Sequence, residues 1–515
     1  MKPLPETPAL APVTPRAYRC QCGRPVFFGN TACLACGTPL GYVPEEAMLR
    51  PLHPSPQDDG SWQAFGETNP EAARWWRCDN FASAAVCNWL VRLDAQGHAP
   101  RRCAACRLNR TIPDLSDAHN QLLWARLETA KRRVISQLMA LGLPVATKMG
   151  EDPAHGLAFD LIRTLPGEAP VMTGHHGGVI TLDIEEADDA TRERVRAAMG
   201  EPYRTLLGHF RHELGHYYWD RLIAGTPWLE PFRALFGDER RDYTAALRAN
   251  YEAGPPADWP QRFVSAYASS HPWEDWAETW AHYLHIVDTV DTARSFGIDP
   301  ARLALDAEPY AVQDLWRADD AQGDAFLRLL QSWVSLAAVM NEMSRSMGQA
   351  DFYPFVLPRA AVAKLHFIHT VVRGHAATPS AGRCSHRRGP RRAAPLPLRG
   401  PARASHDAAR RRLVLARAAC AAASPLPLLA AAAPARAADP LRLAGDDALV
   451  ESGLAQRLQH SFGRDTGLAL RVISQPATAL LAALERGEHD AALCNAPRAE
   501  QGLAGPGLLA HRRGI

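Results

Sequence analysis

The sequence predicts an α+β protein in which a small cysteine-rich part precedes a larger, mainly helical domain. Eight of the eleven cysteines lie within the first 110 residues, in pairs, and the following stretch has mostly helical apolar periodicity. After Val372 the composition changes abruptly. We therefore divide the chain into a flexible start (1–17), a cysteine-rich region (18–112), a helical domain (113–372), a disordered basic linker (373–437) and a truncated α/β fragment (438–515).

The composition of the whole chain excludes few classes of function. At 515 residues with a formal net charge of +2, the chain has room for about three domains, and its charge argues neither for nor against a nucleic-acid partner. The first residues are proline-rich and contain no apolar run typical of a signal peptide or a membrane span. We therefore expect a cytoplasmic protein whose grouped cysteines bind metal rather than form disulfides.

The first cysteine set consists of two close pairs, each followed by glycine. The pairs are Cys20 with Cys22 and Cys33 with Cys36. A glycine after each pair suits a tight turn whose amides face the thiolates. The first pair has one intervening residue where two is usual. We predict that these four sulfur atoms hold a structural zinc ion in a zinc ribbon.

The second cysteine set is looser. Only its last pair, Cys103 and Cys106, has the spacing of a zinc knuckle, while Cys78 and Cys87 stand apart. The four together predict a second structural zinc site. The alternative is one metal-binding pair and two cysteines in the protein core. Both cysteine sets would be closed sites without catalysis.

The stretch from Arg211 to Trp219 has the pattern of a catalytic zinc site on a helix. Residues four apart lie on one helical face, so His212 and His216 can offer two imidazole nitrogens to one Zn²⁺ while Glu213 faces the metal-bound water. The alternative for so short a pattern is a helix with two surface histidines. His209 could compete as a ligand, although at most two of the three histidines fit one tetrahedral site.

A later helix, which proline predicts to begin near residue 272, supplies the third protein ligand. Glu274 and Glu278 lie on one face of that helix, so one can bind the metal while the other orients a ligand histidine.

Residues 179–184 alternate and are β-branched, which predicts a strand entered through a turn at 174–178. An edge strand beside a zinc site can hold an extended peptide by main-chain hydrogen bonds. His175 and His176 are candidates for contact with metal or substrate, and a polar loop is the alternative.

We call the predicted helix that carries His212 and His216 the metal helix. Together with the later helix, it resembles the gluzincin peptidases, particularly the group that includes anthrax lethal factor. The motif from His212 to His216 and the glutamates of the later helix carry this resemblance. It implies that the first of these glutamates, Glu274, is the third metal ligand. It also implies that the tyrosine seven residues earlier (274 minus 267 is 7), Tyr267, donates a hydrogen bond to the zinc-bound oxygen. Without the resemblance, Tyr267 would be a packing residue beside Tyr243 and Tyr251.

Residues 18–372 as a whole resemble bacterial proteins described as a zinc ribbon joined to a zinc-binding metallopeptidase. Stretches 106–115, 203–208 and 271–285 carry this resemblance. It implies a zincin-like domain that hydrolyses peptide bonds in a peptide or protein substrate, with Glu213 as general base. The alternative is a non-catalytic adaptor whose ribbons bind nucleic acid or protein and whose zincin-like domain is a scaffold. The intact Glu213 favours the enzyme.

The composition and the motifs of the tail after Val372 indicate that it belongs to a different protein. Residues 373–417 contain about a dozen arginines and a single acid, and residues 410–437 contain the regions of a secretory signal peptide in the middle of the chain. From residue 441 the chain resembles the opening of a periplasmic tungstate- or molybdate-type binding protein, over only about 75 residues. The acids of the turn at 445–448 would repel an oxyanion. We infer a gene fusion or a reading-frame artefact without an oxyanion-binding function.

Overall fold

The computed structural model describes residues 14–377 apart from positions 58, 70, 165–170, 200, 304 and 306–308. In the tail it describes residues 441–446, 459, 470–476, 479 and 491–493. The described residues belong to two compact units, one within 1–385 and the other within 386–515. The first unit contains both cysteine sets and the helical domain.

The cysteine-rich region is built from short antiparallel strands. Strands β1 (Tyr18–Arg19) and β2 (Pro25–Val26) pair around the first cysteine pair. The glycines after the two pairs, Gly23 and Gly37, have positive φ angles of 80° and 73°, which a tight turn requires and glycine adopts without strain. A five-stranded sheet follows in chain order: β3 (Leu40–Val43), β4 (Met48–Pro54), β5 (Trp62–Ala64), β6 (Trp75–Arg77) and β7 (Leu90–Arg92).

A second sheet lies between the cysteine-rich region and the metal helix. Its strands are β8 (Asn109–Thr111), β9 (Ala158–Ile162), β10 (Gly174–His176) and β11 (Val179–Asp183), in the order β10-β11-β9-β8. Strand β9 pairs in parallel with both β8 and β11, whereas β10 and β11 form an antiparallel hairpin.

The hairpin corrects one prediction from the sequence. Residues 179–183 do form a strand, but the prediction that this strand lies at the edge of the sheet is wrong. The chain reverses at Gly177 and Gly178, both with positive φ, so that residues 174–176 pair with β11 and take the outer position. The edge strand nearest the metal helix is therefore β10, in a segment for which the sequence predicted a turn.

The helical domain confirms the predicted α+β class. Its two central helices begin at sequence-coded caps: the Thr205 side chain accepts from the Gly208 amide, and the His271 ring accepts from the Trp273 amide ahead of Pro272 at the first helical position. The helices are α1 (Ala118–Ala140), α2 (Asp189–Ala198), α3 (Leu206–Leu222), α4 (Leu229–Phe236), α5 (Tyr243–Ala253), α6 (Trp259–Arg262), α7 (Pro272–Ser295), α8 (Gly323–Ser346) and α9 (Arg359–Ala377).

Helices α3 and α7 pack with their backbones in contact at Gly215. A Cβ atom at this position would lie 2.8 Å from the Cα atom of Ala277. The indole of Trp276 donates a hydrogen bond of 2.8 Å to the Gly215 carbonyl, which lies one position before His216. Glycine is therefore required inside the helix because of close packing, despite its cost in helix propensity.

Asp288 of α7 connects the helical domain to the segment that enters the cysteine-rich region. Its carboxylate accepts from Arg16 at 2.9 Å, from Arg133 of α1 at 2.9 Å and from Arg211 of α3 at 2.8 Å. Burial raises the pKa of Asp288, but the three guanidinium groups outweigh it and lower that pKa below its ordinary value. The ionised carboxylate thus holds three segments distant in sequence against one helix.

The described part of the tail is a parallel sheet. Strands β12 (Leu441–Asp446), β13 (Leu470–Gln475) and β14 (Ala491–Leu493) lie in the order β13-β12-β14. The resemblance of the tail to a binding protein stays a prediction. The predicted linker and signal-like segment lie outside the described residues, except that residues 373–377 complete α9. Of the acidic turn at 445–448, the structure describes residues 445 and 446.

Within the described residues, no helix combines the length and the apolar character needed to cross a membrane.

We expect Gly215→Ala to destabilise the protein by about 1–3 kcal/mol relative to Gly374→Ala. Both changes replace a helical glycine and gain similar helix propensity, but the new methyl group at 374 meets only Trp228, at an ordinary 3.6 Å. Urea unfolding followed by circular dichroism measures the difference. Equal stabilities for the two variants would show that α3 and α7 do not pack as closely as described.

Candidate active site

The structure brings together the three residues that the sequence predicts as ligands of a catalytic zinc ion. His212 and His216 project from α3 toward Glu274 of α7, and one donor atom of each lies within 4.8 Å of the others. The Nε2 atom of His212 is 3.1 Å from one Glu274 oxygen, and the Nε2 atom of His216 is 3.5 Å from the other. His216 and Glu274 are buried, whereas His212 is half-buried. We call these three residues the metal cluster.

The hydrogen bond on the far side of His212 is evidence that the cluster fits a cation. The Nδ1 atom of His212 lies 2.8 Å from Glu278, a carboxylate that can only accept when ionised, so Nδ1 carries a hydrogen. In a neutral ring the Nε2 lone pair then faces the Glu274 oxygen at 3.1 Å, where two lone pairs repel each other. A cation between them removes that repulsion. Two imidazoles and a carboxylate are a ligand set typical of catalytic zinc.

Titration of the cluster leads to the same conclusion. Burial lowers the pKa of His212, but Glu274 and Glu278 outweigh it and raise that pKa well above its ordinary value. Burial raises the pKa of Glu274, but His216 and His212 outweigh it and lower that pKa well below its ordinary value. The carboxylates around the two imidazoles thus favour a positive charge in the site, which a proton or a divalent metal ion can supply.

Glu278 is held from both sides. One of its oxygens contacts His212, and the other accepts a 2.6 Å hydrogen bond from the Ser265 hydroxyl. This contact is the one that the sequence predicted for the second glutamate of the later helix, the orientation of a ligand histidine.

Glu213 lies beside the metal cluster and outside it. Its side chain is 6% exposed, one oxygen is 3.8 Å from Nε2 of His209, and the other is buried with no hydrogen-bond partner among the described residues. A buried oxygen without a partner is costly unless a ligand or water satisfies it. This position suits a carboxylate that acts on a water molecule at the metal.

Two tyrosines line the cluster. Tyr267 opens a short 3₁₀ turn, Tyr267–Ser269, and its ring centroid is 6.0 Å from that of His212. The Tyr243 hydroxyl, from α5, donates a 2.8 Å hydrogen bond to Glu274. Burial, followed by the charge of Glu274, raises the pKa of both phenols, so both remain hydrogen-bond donors at neutral pH. Tyr251, named beside them from the sequence, is 65% exposed.

Sequence reasoning missed the role of Tyr243, which it placed only as a packing neighbour of Tyr267. No spacing rule connects Tyr243 with Glu274, because the two meet where the Tyr243 ring packs against His271 and Trp273 at the start of α7. The resemblance to gluzincins indicates Tyr267 instead, which is nearer to Glu274 in the sequence.

The other histidines near the site do not belong to the metal cluster. The His175 ring is 1% exposed, and its Nε2 accepts from the Gly178 amide at 3.0 Å, which stabilises the β10–β11 turn. Burial, with His216 nearby, lowers the pKa of His175 to about 3. His176 is exposed. His209 is absent from the converging donor atoms of the metal cluster: its Nδ1 atom is hydrogen-bonded to Glu186, and its Nε2 atom faces Glu213 at 3.8 Å.

Each cysteine set gathers four sulfur atoms. Cys20 and Cys36 are 3.6 Å apart, Cys22 and Cys33 are 3.7 Å apart, and Cys87 and Cys103 of the second set are 3.7 Å apart. Four sulfur atoms bound tetrahedrally to one zinc ion would be about 3.8 Å from each other. All four members of the second set come together, with Cys78 included, so the alternative of one pair and two core cysteines is not what the structure contains.

The two cysteine sets differ in their surroundings. The first alternates buried and exposed cysteines, whereas the second is buried throughout. Near the second set, Glu128 of α1 lies 3.7 Å from the Cys106 sulfur and pairs with the buried Lys131. Helix α1 thus connects the second cysteine set to the helical domain.

Comparisons with known proteins agree with this architecture. Residues 17–117 match a zinc-ribbon domain, and residues 120–371 match the family described as "Putative zinc-binding metallo-peptidase". Uncharacterized proteins of Mycobacterium tuberculosis and Mycobacterium bovis are 43% identical to this chain over 359 residues, which are 69% of this chain and 95% of theirs. The chain belongs to this metallo-peptidase family. The zinc-ribbon match and the metallo-peptidase match confirm the resemblance stated for residues 18–372. No solved structure matches the chain.

We expect the purified protein to contain about three zinc ions per chain, one in each cysteine set and one in the metal cluster. His216→Ala removes a ligand and should lower the zinc content by about one ion. His176→Ala, on the exposed face of β10, is the matched control and should leave it unchanged. Elemental analysis of gel-filtered protein measures both, and full zinc content in His216→Ala would exclude His216 as a ligand.

Proposed function

We propose that this chain is a zinc-dependent metallopeptidase of gluzincin type that hydrolyses peptide bonds in a peptide or protein substrate. The observation that carries the proposal is the buried Glu213 carboxylate beside the converging donor atoms of the metal cluster, with one oxygen that has no hydrogen-bond partner in the part of the chain that the structure describes. A retired or purely structural zinc site has no chemical need of a base in that place. Three protein ligands also leave a fourth position open for reaction.

The proposed mechanism assigns one task to each side chain. His212, His216 and Glu274 would hold Zn²⁺, which when bound acidifies a water molecule and polarises the scissile carbonyl. Glu213 takes the proton of the attacking water and passes it to the leaving amine. Glu278 keeps His212 in the tautomer that presents Nε2 to the metal.

The two tyrosines divide a further task. We assign to Tyr267 the hydrogen bond to the oxyanion that develops on the substrate carbonyl, because its ring lies against His212. We assign to Tyr243 the orientation of Glu274, because its hydroxyl already bonds that carboxylate.

The outer edge of β10, which pairs with no strand among the described residues, is the proposed path of the substrate. β10 contacts the metal helix through His175, whose ring centroid is 6.1 Å from that of Tyr217 on α3. An extended peptide could add to this edge by main-chain hydrogen bonds. We keep two further proposals from the sequence. The first is that the zinc ribbons bind a nucleic acid or protein partner. The second is that the protein is cytoplasmic, because the cysteines of both sets are not in disulfides.

We expect Glu213→Gln to reduce kcat by about 10²–10⁴-fold without loss of zinc, because the amide is similar in size but cannot accept the proton. Glu252→Gln, an exposed position on α5, is the matched control. Cleavage of a proteome-derived peptide library, read by mass spectrometry, provides the rates. Unchanged cleavage by Glu213→Gln would refute the proposed mechanism.

Removal of each tyrosine hydroxyl should have a different effect. We expect Tyr267→Phe to lower kcat about 10²-fold at unchanged zinc affinity, as for loss of one oxyanion donor. We expect Tyr243→Phe to weaken zinc binding about 10-fold, as for loss of an outer hydrogen bond to a ligand, with most of the activity recovered at saturating zinc. Chelator competition and steady-state kinetics separate the two effects. The reverse pattern would exchange the two assignments.

A further inference from the structure

His209 lies on α3 one turn before the metal helix ligands and is in contact with two carboxylates. Its Nδ1 atom is hydrogen-bonded to Glu186, and its Nε2 atom faces Glu213 at 3.8 Å. The three side chains are 18%, 15% and 6% exposed, so water has little access to this row of groups. The mechanism proposed above uses neither His209 nor Glu186.

Glu186 is fixed from several directions. It lies in the 3₁₀ turn Ile184–Ala187 that follows β11, one of its oxygens accepts from the Thr173 hydroxyl at 3.0 Å, and Arg204 approaches the other at 3.3 Å. Burial raises the pKa of Glu186, but the hydrogen bond and charge of His209, with help from Arg204, lower it below its ordinary value. An ionised carboxylate held in this way sets the orientation of the imidazole that bonds it.

The Glu213 carboxylate has little else to hold it. Among the described residues, His209 is the basic side chain in contact with one of its oxygens, while the other oxygen is buried without a partner. The two oxygens therefore have different surroundings: one lies against a fixed ring, and the other is left for the reaction. A general base must be held within a few tenths of an ångström of its productive geometry.

We propose that His209 is a positioning residue for Glu213: the ring, oriented by Glu186, keeps the Glu213 carboxylate in the rotamer that presents its partner-free oxygen to the attacking water. This inference rests on the proposed peptidase function. It assigns Glu186, in the turn that follows β11, an indirect effect on a base that lies on α3.

Kinetics of variants test the assignment. We expect His209→Ala to lower kcat by about 10–100-fold, with KM and zinc content unchanged, because misplacement of the base by about 1 Å affects the transition state and not the binding of substrate. His209→Gln can place an amide near the position of Nε2 and should recover part of the rate. His98→Ala, at a side chain that is 82% exposed, is the matched control.

A double-mutant cycle tests the part played by Glu186. Because Glu186 acts through His209, Glu186→Ala should lower kcat in the wild-type background and have no further effect in His209→Ala. Additive losses would overturn the connection. Loss of zinc in His209→Ala would overturn the assignment as well, since it would place His209 in the support of the metal.

A crystallographic comparison of zinc-loaded wild type and His209→Ala gives a readout that does not depend on cleavage. We expect the Glu213 carboxylate to change rotamer or to split into two conformers in the variant. An unchanged rotamer together with unchanged kcat overturns the inference while Glu213→Gln remains inactive and the proposed function stands. A wild type that cleaves nothing would refute the proposed function, and the rotamer would still decide whether His209 positions Glu213.

Discussion

The contact between the backbones of α3 and α7 at Gly215 and Ala277 is the constraint on which the site depends. The separation of two helices is set by the side chains between them. At this crossing α3 contributes Gly215, which has no side chain. The Trp276 indole adds a hydrogen bond to the Gly215 carbonyl at the same crossing. Glu274, one turn before this contact on α7, is thereby brought within 3.5 Å of both ligand histidines. A bulkier residue at 215 would separate the ligands as well as the helices.

Buried charges hold other segments of the first unit against this helix pair. Asp288 connects α7 to α1, to α3 and to the segment before the first ribbon by way of three arginines. Buried ion pairs are costly to break because the partner left behind is an unpaired charge. Helix α1 also contacts the second cysteine set through Glu128. The metal cluster and the ribbons are therefore parts of one folded unit, and the loss of zinc from the second set would disturb a helix that packs on α3.

The three histidines of α3 owe their different roles to the carboxylates that they meet. His212 has Glu278 behind it and Glu274 in front, an arrangement that suits a metal ligand held in one tautomer. His216 also meets Glu274, whereas His209 meets Glu186 and Glu213. The histidines are all on one helix, so their pattern is local. The carboxylates come from elsewhere: Glu274 and Glu278 from α7, Glu186 from the turn after β11, and Glu213 from the next turn of α3 itself.

The sequence by itself determined whatever depends on local geometry. The spacing of four residues puts His212 and His216 on one helical face with Glu213 between them, and the glycine after each close cysteine pair allows the turns of the first ribbon. Glu274 could be chosen because a second helical motif, and a resemblance, supplied its position. The tertiary structure alone decided that Tyr243 reaches Glu274 and that β10 rather than β11 is the edge strand. It also decided that Cys78 and Cys87 join the last cysteine pair, and that Glu186 bonds the His209 ring that faces Glu213. Apart from the β10–β11 hairpin and the His209–Glu213 pair, which is four residues apart on α3, these are contacts between residues well separated in the chain. They depend on how helices and strands pack, which no local periodicity encodes.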